Sequence, residues 1–125
     1  MELINIATDL AQTDNYREVI FTGQLQLVYM TLEPEEIIPM EVHPDTDQLV
    51  RVEAGLAQVK VYITGARNSY EDRVAHPGDL IIIPAGTHHE FLNSGEGLLQ
   101  LTVIYSNPLH PKDEIQKYPG EEMED

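Results

Sequence analysis

Three polar residues in the stretch MEVHPDTDQ, residues 40–48, are of types that can bind a metal ion. Glu41 and His43 are two positions apart, so on a β-strand their side chains would point to the same face. Gln48 follows PDTD, whose composition favours a tight turn, and such a turn could bring Gln48 beside His43. Taken alone, this pattern is more often an ion pair or a solvent-exposed polar face than a metal site.

A second stretch, GDLIIIPAGTHHEFLN, contributes another histidine within a regular spacing. Gly78 is followed after five residues by the tripeptide PAG at 84–86, after two more by His89, and after three more by Asn93. Glycine and proline at such positions are typical of bends at the ends of short strands. This second, regularly spaced group makes a shared site with His43 a better explanation than chance.

The two regions together resemble the two motifs of the cupin family. The second family motif reads G, five residues, PxG, two residues, H, three residues, N, and the second stretch is similar to it at every fixed position. The first reads HxH, three or four residues, E, six residues, G. Here Glu41 stands at its first histidine, Gln48 at its glutamate, and Glu35 at the glycine that opens it. The resemblance extends over about residues 30 to 106.

This resemblance implies a metal site formed by Glu41, His43, Gln48 and His89. The family pattern supplies three imidazoles and one carboxylate, whereas this chain supplies two imidazoles, one carboxylate and one amide. The number of negatively charged ligands is therefore unchanged. The expected cofactor is a divalent transition metal, Fe, Mn, Zn or Ni, and two histidines with one carboxylate is an arrangement used by non-haem iron. Gln48 would bind through its carbonyl oxygen or hydrogen-bond a bound water.

A metal-free interpretation keeps the same fold. In it Glu41 and His43 form an ion pair inside an empty barrel, and Gln48 is a polar lining residue. Two histidines, a glutamate and a glutamine converging in a barrel interior are costly unless something satisfies them. The metal interpretation is therefore the favoured one.

The remaining histidines have simpler predicted positions. His88 has the opposite parity to His89 and is expected to face outward, and His76 precedes a proline in a predicted surface turn. His110 lies in the C-terminal tail, where it is either solvated or part of a segment that closes over the barrel mouth. Phe91 shares the face of His89 and is either a wall of the pocket or an ordinary core aromatic.

Many short apolar or alternating stretches separated by Gly, Pro, Asn and Asp predict an all-β fold. The cupin resemblance implies a small antiparallel β-barrel or jelly roll. We expect one cupin-like domain over residues 1–125, with the barrel core at about 18–106, an irregular N-terminal segment and an acidic C-terminal tail. The resemblance also implies a homodimer in which a second copy covers strand edges.

The chain is strongly acidic, with 22 Asp and Glu against 7 Lys and Arg and a formal net charge of −15. Phosphate backbones and anionic membrane surfaces would be repelled, so neither nucleic acid nor membrane is an expected partner. There is no cysteine, which suits a reducing compartment. The first residues lack the pattern of a signal peptide, and no stretch approaches the roughly 20 apolar residues of a membrane span. The predicted location is the cytoplasm.

Two functions are compatible with these features. The first is a metal-dependent enzyme acting on a small organic molecule, such as a dioxygenase or an isomerase, as the resemblance implies. The second is a non-catalytic barrel that binds or stores a small molecule, with a structural metal or none. Phosphate recognition favours Arg or Lys, and no basic residue is placed in the interior by the pattern, Arg51 having the opposite parity to Gln48. The ligand is therefore expected not to be strongly anionic.

Overall fold

The protein is a sandwich of two antiparallel β-sheets in a computed structural model that describes residues 1–62 and 69–121. Within these residues the elements follow in the order α1 (Ile6–Leu10), β1 (Arg17–Thr22), β2 (Gln26–Leu32), β3 (Ile37–Glu41), β4 (Gln48–Ala54), β5 (Ala57–Tyr62), β6 (Tyr70–Ala75), β7 (Leu80–Ile83), β8 (His89–Asn93), β9 (Leu99–Tyr105) and β10 (Ile115–Gln116).

One sheet has six strands in the order β10-β1-β2-β9-β4-β7, and the other has four in the order β3-β8-β5-β6. Every pairing is antiparallel, and strands distant in sequence lie side by side, as in a jelly roll. The predicted all-β fold of cupin type is confirmed. Its form is the jelly roll, because among the described residues no ladder joins the two sheets into a closed barrel.

The core lies between the facing sheets because apolar side chains alternate along their strands. In β4 the buried residues Val50 and Val52 alternate with the more exposed Leu49 and Arg51. β2 and β9 cross the middle of the larger sheet and are buried along most of their length. The most deeply buried apolar side chains are Val28, Leu32, Val50, Val52, Ala57, Leu99 and Leu101.

Two backbone positions in the left-handed region mark the first motif. Gly55 has φ of 87°, and a Cβ there would lie 2.4 Å from the carbonyl oxygen of Leu98. Glycine is therefore required by both backbone conformation and space. Glu35 has φ of 70° although it carries a side chain. The glycine position that opens the family's first motif thus keeps the glycine-like conformation even with glutamate present.

The C-terminal segment after β9 returns along the sandwich. β10 pairs with β1, with Gln116 opposite Arg17. The fully buried Gln26 side chain binds this segment: its Oε1 accepts from the amides of Leu109 and His110, and its Nε2 donates to the carbonyl of His110. The end of the predicted acidic tail, residues 122–125, lies outside the described residues.

The N-terminal segment contains α1, whose first turn is capped by Asn5 through a hydrogen bond from the amide of Thr8. Leu10, at its end, is buried, and Asp9 accepts a hydrogen bond from Tyr29 on β2. Among the described residues this helix is the one α-helix present, and its five residues are too few to cross a membrane.

Candidate metal centre

Glu41, His43 and His89 converge at one end of the sandwich. One ligand atom from each lies within 4.8 Å of the others. The Nε2 atoms of His43 and His89 are 3.2 and 3.4 Å from the same carboxylate oxygen, Glu41 Oε1. The structure therefore brings together three of the four residues predicted as ligands, with donor atoms close enough to hold one metal ion.

A bulge in β3 turns the Glu41 side chain toward the interior. Ile38 pairs with Phe91 and Glu41 pairs with His89, so three positions on β3 match two on β8. Ile38 and Phe91 both belong to the core. Without the extra residue, Glu41 would have the opposite parity to Ile38 and would face solvent.

His89 is oriented by its neighbours before any ligand arrives. It is 1% exposed and pairs with Glu41 on one side and Val61 on the other. Its Nδ1 lies 2.9 Å from the carbonyl oxygen of Thr87, an atom that can only accept. Nδ1 therefore carries the proton in the neutral imidazole, and Nε2 presents its lone pair to Glu41 and His43.

Three buried polar atoms at this end of the sandwich lack a hydrogen bond to any described residue. They are His43 Nε2, His89 Nε2 and Gln48 Oε1. The two imidazole nitrogens are close to Glu41 but do not meet it with hydrogen-bond geometry. Buried polar atoms are normally satisfied, so three unsatisfied lone-pair donors fit a bound cation.

Gln48 begins β4 on the inner face and is 4% exposed. It is paired with Tyr105 across the ladder between β4 and β9, and the Tyr105 ring lies 6.0 Å from the ring of His43. Gln48 thus lies at the same end of the sandwich as the three converging residues. Its direct binding to a metal stays a prediction.

Glu41 is a carboxylate at neutral pH. Burial alone would raise its pKa, but the contact with His89 and the charges of His43 and His89 outweigh burial, so the pKa lies below its ordinary value. The group therefore retains its negative charge beside the two imidazoles. This donor set suits a divalent transition metal.

Aromatic side chains surround the cluster. Phe91, a fully buried core residue, lies with its ring 6.1 Å from the ring of His89, and Tyr105 makes edge-on contacts with the rings of His43 and His110. His110 is half-buried, and burial lowers its pKa to about 4, with Arg17 and His43 adding to the effect. The sequence allows His110 to be either solvated or part of a segment that closes over the barrel mouth. Its contact with Tyr105 supports the second position.

His88 and His76 are exposed, as predicted from their parity and turn position. Arg17 is an interior arginine that the sequence pattern did not predict. Arg17 begins β1 opposite Met30, a core residue, and its side chain is 18% exposed. Arg51 is half-exposed on the outside, as predicted, and forms an ion pair with Glu53.

Comparison with known proteins identifies the family. The family described as Cupin domain matches residues 28–105. The uncharacterised protein L612 of Acanthamoeba polyphaga mimivirus is 41% identical over 115 residues, which are 90% of this chain and 69% of L612. The uncharacterised protein YrkC of Bacillus subtilis is 35% identical over 115 residues, which are 87% of this chain and 59% of YrkC.

A solved structure supports the same assignment. The crystal structure of BH2720 from Bacillus halodurans has a TM-score of 0.84 and 31% sequence identity, over 93% of this chain and 88% of BH2720. The matched length differs between relatives, since the chain spans 69% of L612 and only 59% of YrkC. With its two motifs, its jelly roll and a family match across the strands from β2 to β9, the chain belongs to the cupin family.

Proposed function

We propose that this protein is a metal-dependent enzyme acting on a small organic molecule. Glu41, His43 and His89 would hold a divalent transition metal. The observation that carries the proposal is the convergence of their donor atoms within 4.8 Å, with both Nε2 atoms buried and unsatisfied among the described residues. Apolar cores do not bury such atoms without a partner.

The donor set favours iron with open coordination positions. Two histidines and one carboxylate are the protein ligands of many non-haem iron oxygenases. A bound metal would supply Lewis-acid or oxygen-binding chemistry. The protein's own contribution is the charge of Glu41, the fixed orientation of His89, and an amide at Gln48 that can bind directly or hold a water.

The test is metal content after removal of one imidazole. We expect His89→Ala to lose most of its bound metal, measured by inductively coupled plasma mass spectrometry, while the far-ultraviolet circular dichroism of the β-sheet remains. The matched control is His88→Ala, the exposed neighbour, which should keep the wild-type metal content. Equal metal content in both variants would rule out the proposed ligand set. Unfolding of both the metal-free wild type and His89→Ala on mild warming would instead assign the metal a structural role.

A second candidate is a non-catalytic barrel that binds or stores a small molecule. It is favoured by one observation, the departure of Glu41 and Gln48 from the family's usual ligands. A catalytic metal keeps open positions, whereas a structural one is fully coordinated by protein atoms. X-ray absorption spectroscopy of the loaded protein separates the two. We expect water or small-anion ligands on the metal, and a shell made of protein atoms alone would favour the second candidate.

The proposed assembly is a homodimer formed through the outer face of the larger sheet. An apolar row crosses five strands there in direct register: Phe21, Leu27, Ile104, Leu49 and Ile82. Ile82 is 68% exposed on β7, an edge strand, and such an edge invites pairing or covering. The row contains no charged side chain, so two chains of net charge −15 could meet along it without apposing like charges there.

Solution mass tests this assembly. We expect the wild type to measure as a dimer by light scattering and Ile82→Asp to measure as a monomer. Leu98→Asp is the control, because Leu98 is also exposed and apolar but does not belong to the row. A monomeric wild type, or two variants with equal mass, would contradict the assignment.

We also place the protein in the cytoplasm, supported by the absence of cysteine in its sequence, and cell fractionation is the direct check.

A further inference from the structure

Arg17 is a positive charge on the inner face of the sandwich. It lies opposite Met30 of β2 and Gln116 of β10. Directly paired residues of an antiparallel ladder share a face, and Met30 belongs to the core. Charged side chains rarely point inward without a partner that needs them there.

The guanidinium of Arg17 is only partly satisfied. Its Nη1 donates to the side-chain oxygen of Gln116 at 2.6 Å and to Glu114 at 3.4 Å. Its Nε is buried and has no hydrogen-bond partner among residues 1–62 and 69–121. A buried donor on a charged group is costly when unpaired, so the Nε edge is free to take an acceptor that the described residues do not provide.

The surroundings show where that acceptor would enter. A cavity of about 450 Å³ opens between β1, β10 and β3. Its lining includes Tyr16, Arg17 and Gln116, and also the carboxylates Glu35 and Glu36. On the other side, the charge of Arg17 contributes to lowering the pKa of His110 and partly offsets the rise that burial causes for Tyr105. The guanidinium therefore acts both on this opening and on the aromatic residues beside the metal cluster.

We propose that Arg17 binds the carboxylate of the substrate, which is then a small, singly charged organic acid. The metal half of this assignment rests on the function proposed above. A planar carboxylate can accept from Nε and the adjacent amino group together, the geometry for which arginine is suited. Glu114 offsets part of the positive charge, and Glu35 and Glu36 add negative charge at the opening, so a dianion such as a phosphate ester is disfavoured.

The test measures binding of three acids, pyruvate, lactate and benzoate, each against its own uncharged amide. Isothermal titration calorimetry is run on chelator-treated and on metal-loaded protein. We expect at least one acid to bind the wild type about tenfold or more tightly than its amide, and Arg17→Met to abolish the difference. Arg17→Lys should recover only part, because a lysine lacks the planar fork. The control Arg51→Met removes an outer arginine and should bind as the wild type does.

A further variant tests the proposal even if Arg17→Met fails to fold. Glu114→Gln leaves Arg17 in place and removes its competitor, so acid binding should become a few fold tighter. If no acid binds better than its amide, or if Arg17→Met or Glu114→Gln binds as the wild type does, the proposal is overturned. Arg17-dependent binding by a protein that takes up no metal would uphold this site and reject the proposed metal function. Metal uptake by a protein that binds no acid more tightly than its amide would support the proposed metal function and reject the Arg17 site.

Discussion

The two regions that carry the predicted ligands are fixed by different means. Around His89 the chain is held mainly by its backbone. β8 lies inside the smaller sheet, paired on both sides, and the turn before it is closed by backbone hydrogen bonds from Gly86 to His43 and from Thr87 to Pro84. His89 itself is fully buried.

Around Glu41 and His43 the chain is held largely by side chains. β3 is an edge strand, and the loop that follows it is tied to distant segments. The hydroxyl of Thr46 contacts Ser106 and accepts from the amide of Asn107, and Asp47 accepts from the amide of Ala85. The Glu41 side chain remains 38% exposed.

The contrast explains where this chain departs from the family pattern. Every fixed position of the second motif is kept, because its spacing sets backbone turns that position the buried His89. Both ligand substitutions, Glu41 and Gln48, fall in the first region. There the loop is anchored by side-chain contacts to distant segments, so the residue at a predicted ligand position can change without undoing the turn.

The largest expected effect concerns the glycines of the two motifs. Gly55 and Gly86 both have positive φ, 87° and 81°, but only at Gly55 would an added Cβ meet backbone atoms. We expect Gly55→Ala to lower the free energy of unfolding by on the order of 3–4 kcal/mol, and Gly86→Ala by about 1 kcal/mol, the cost of the left-handed conformation alone. Urea denaturation measures both. Equal losses would show that space beside the backbone is not the deciding difference.

Removing the side-chain anchor of the first region should have the next largest effect. Thr46→Val keeps the shape but leaves the amide of Asn107 without its acceptor, and we expect a loss of about 2 kcal/mol in unfolding free energy. Thr87→Val in the second region is the control, since only the backbone of Thr87 is used among the described contacts. If Thr87→Val lowers the unfolding free energy as much as Thr46→Val does, the two regions are not held by different means.

The third prediction tests whether Glu41 and Gln48 share one ion. Glu41→His alone removes the carboxylate and should weaken metal binding about tenfold, whereas Gln48→Glu alone should retain metal. The double variant recreates the usual family ligands and should bind as the wild type does. The two changes are thus expected to be non-additive, as neighbours on one partner are. Metal affinities of all four proteins give the coupling, and independent effects would mean that the two side chains do not meet at an ion.

The smallest effect is a gain. Glu35 is exposed with φ of 70°, so Glu35→Gly should relieve backbone strain and raise the unfolding free energy by about 0.5–1 kcal/mol. Glu33→Gly, two residues earlier and without positive φ, should lower it by a similar amount. Thermal or urea unfolding of the pair reports both signs. A loss in both variants would show that the left-handed position costs this chain nothing.

Much of the fold and half of the site geometry follow from the sequence. Strand alternation and turn residues predict the all-β fold, the resemblance of the two motifs to the cupin family implies the jelly roll, and strand parity with motif spacing places His89 in the interior. The inward position of Glu41 depends on a bulge between Ile38 and Glu41, and alternation alone cannot reveal an extra residue. Arg17 was missed because its inward partners, Glu114 and Gln116, lie about a hundred residues away, beyond any local periodicity.

The amide of Gln26 has a consequence for the order in which this end of the protein is assembled. The Gln26 side chain hydrogen-bonds the backbone of Leu109 and His110, as a neighbouring strand would, across separations of 83 and 84 residues. On the ribosome, His89 is made 21 residues before His110 (110 − 89), an interval of about one to four seconds at ordinary rates of synthesis. The nascent chain therefore has all its predicted ligands while the closing segment is still absent. The same interval also contains β9, the strand between β2 and β4 in the larger sheet, so the sandwich and the segment that Gln26 binds form only after every predicted ligand has been made.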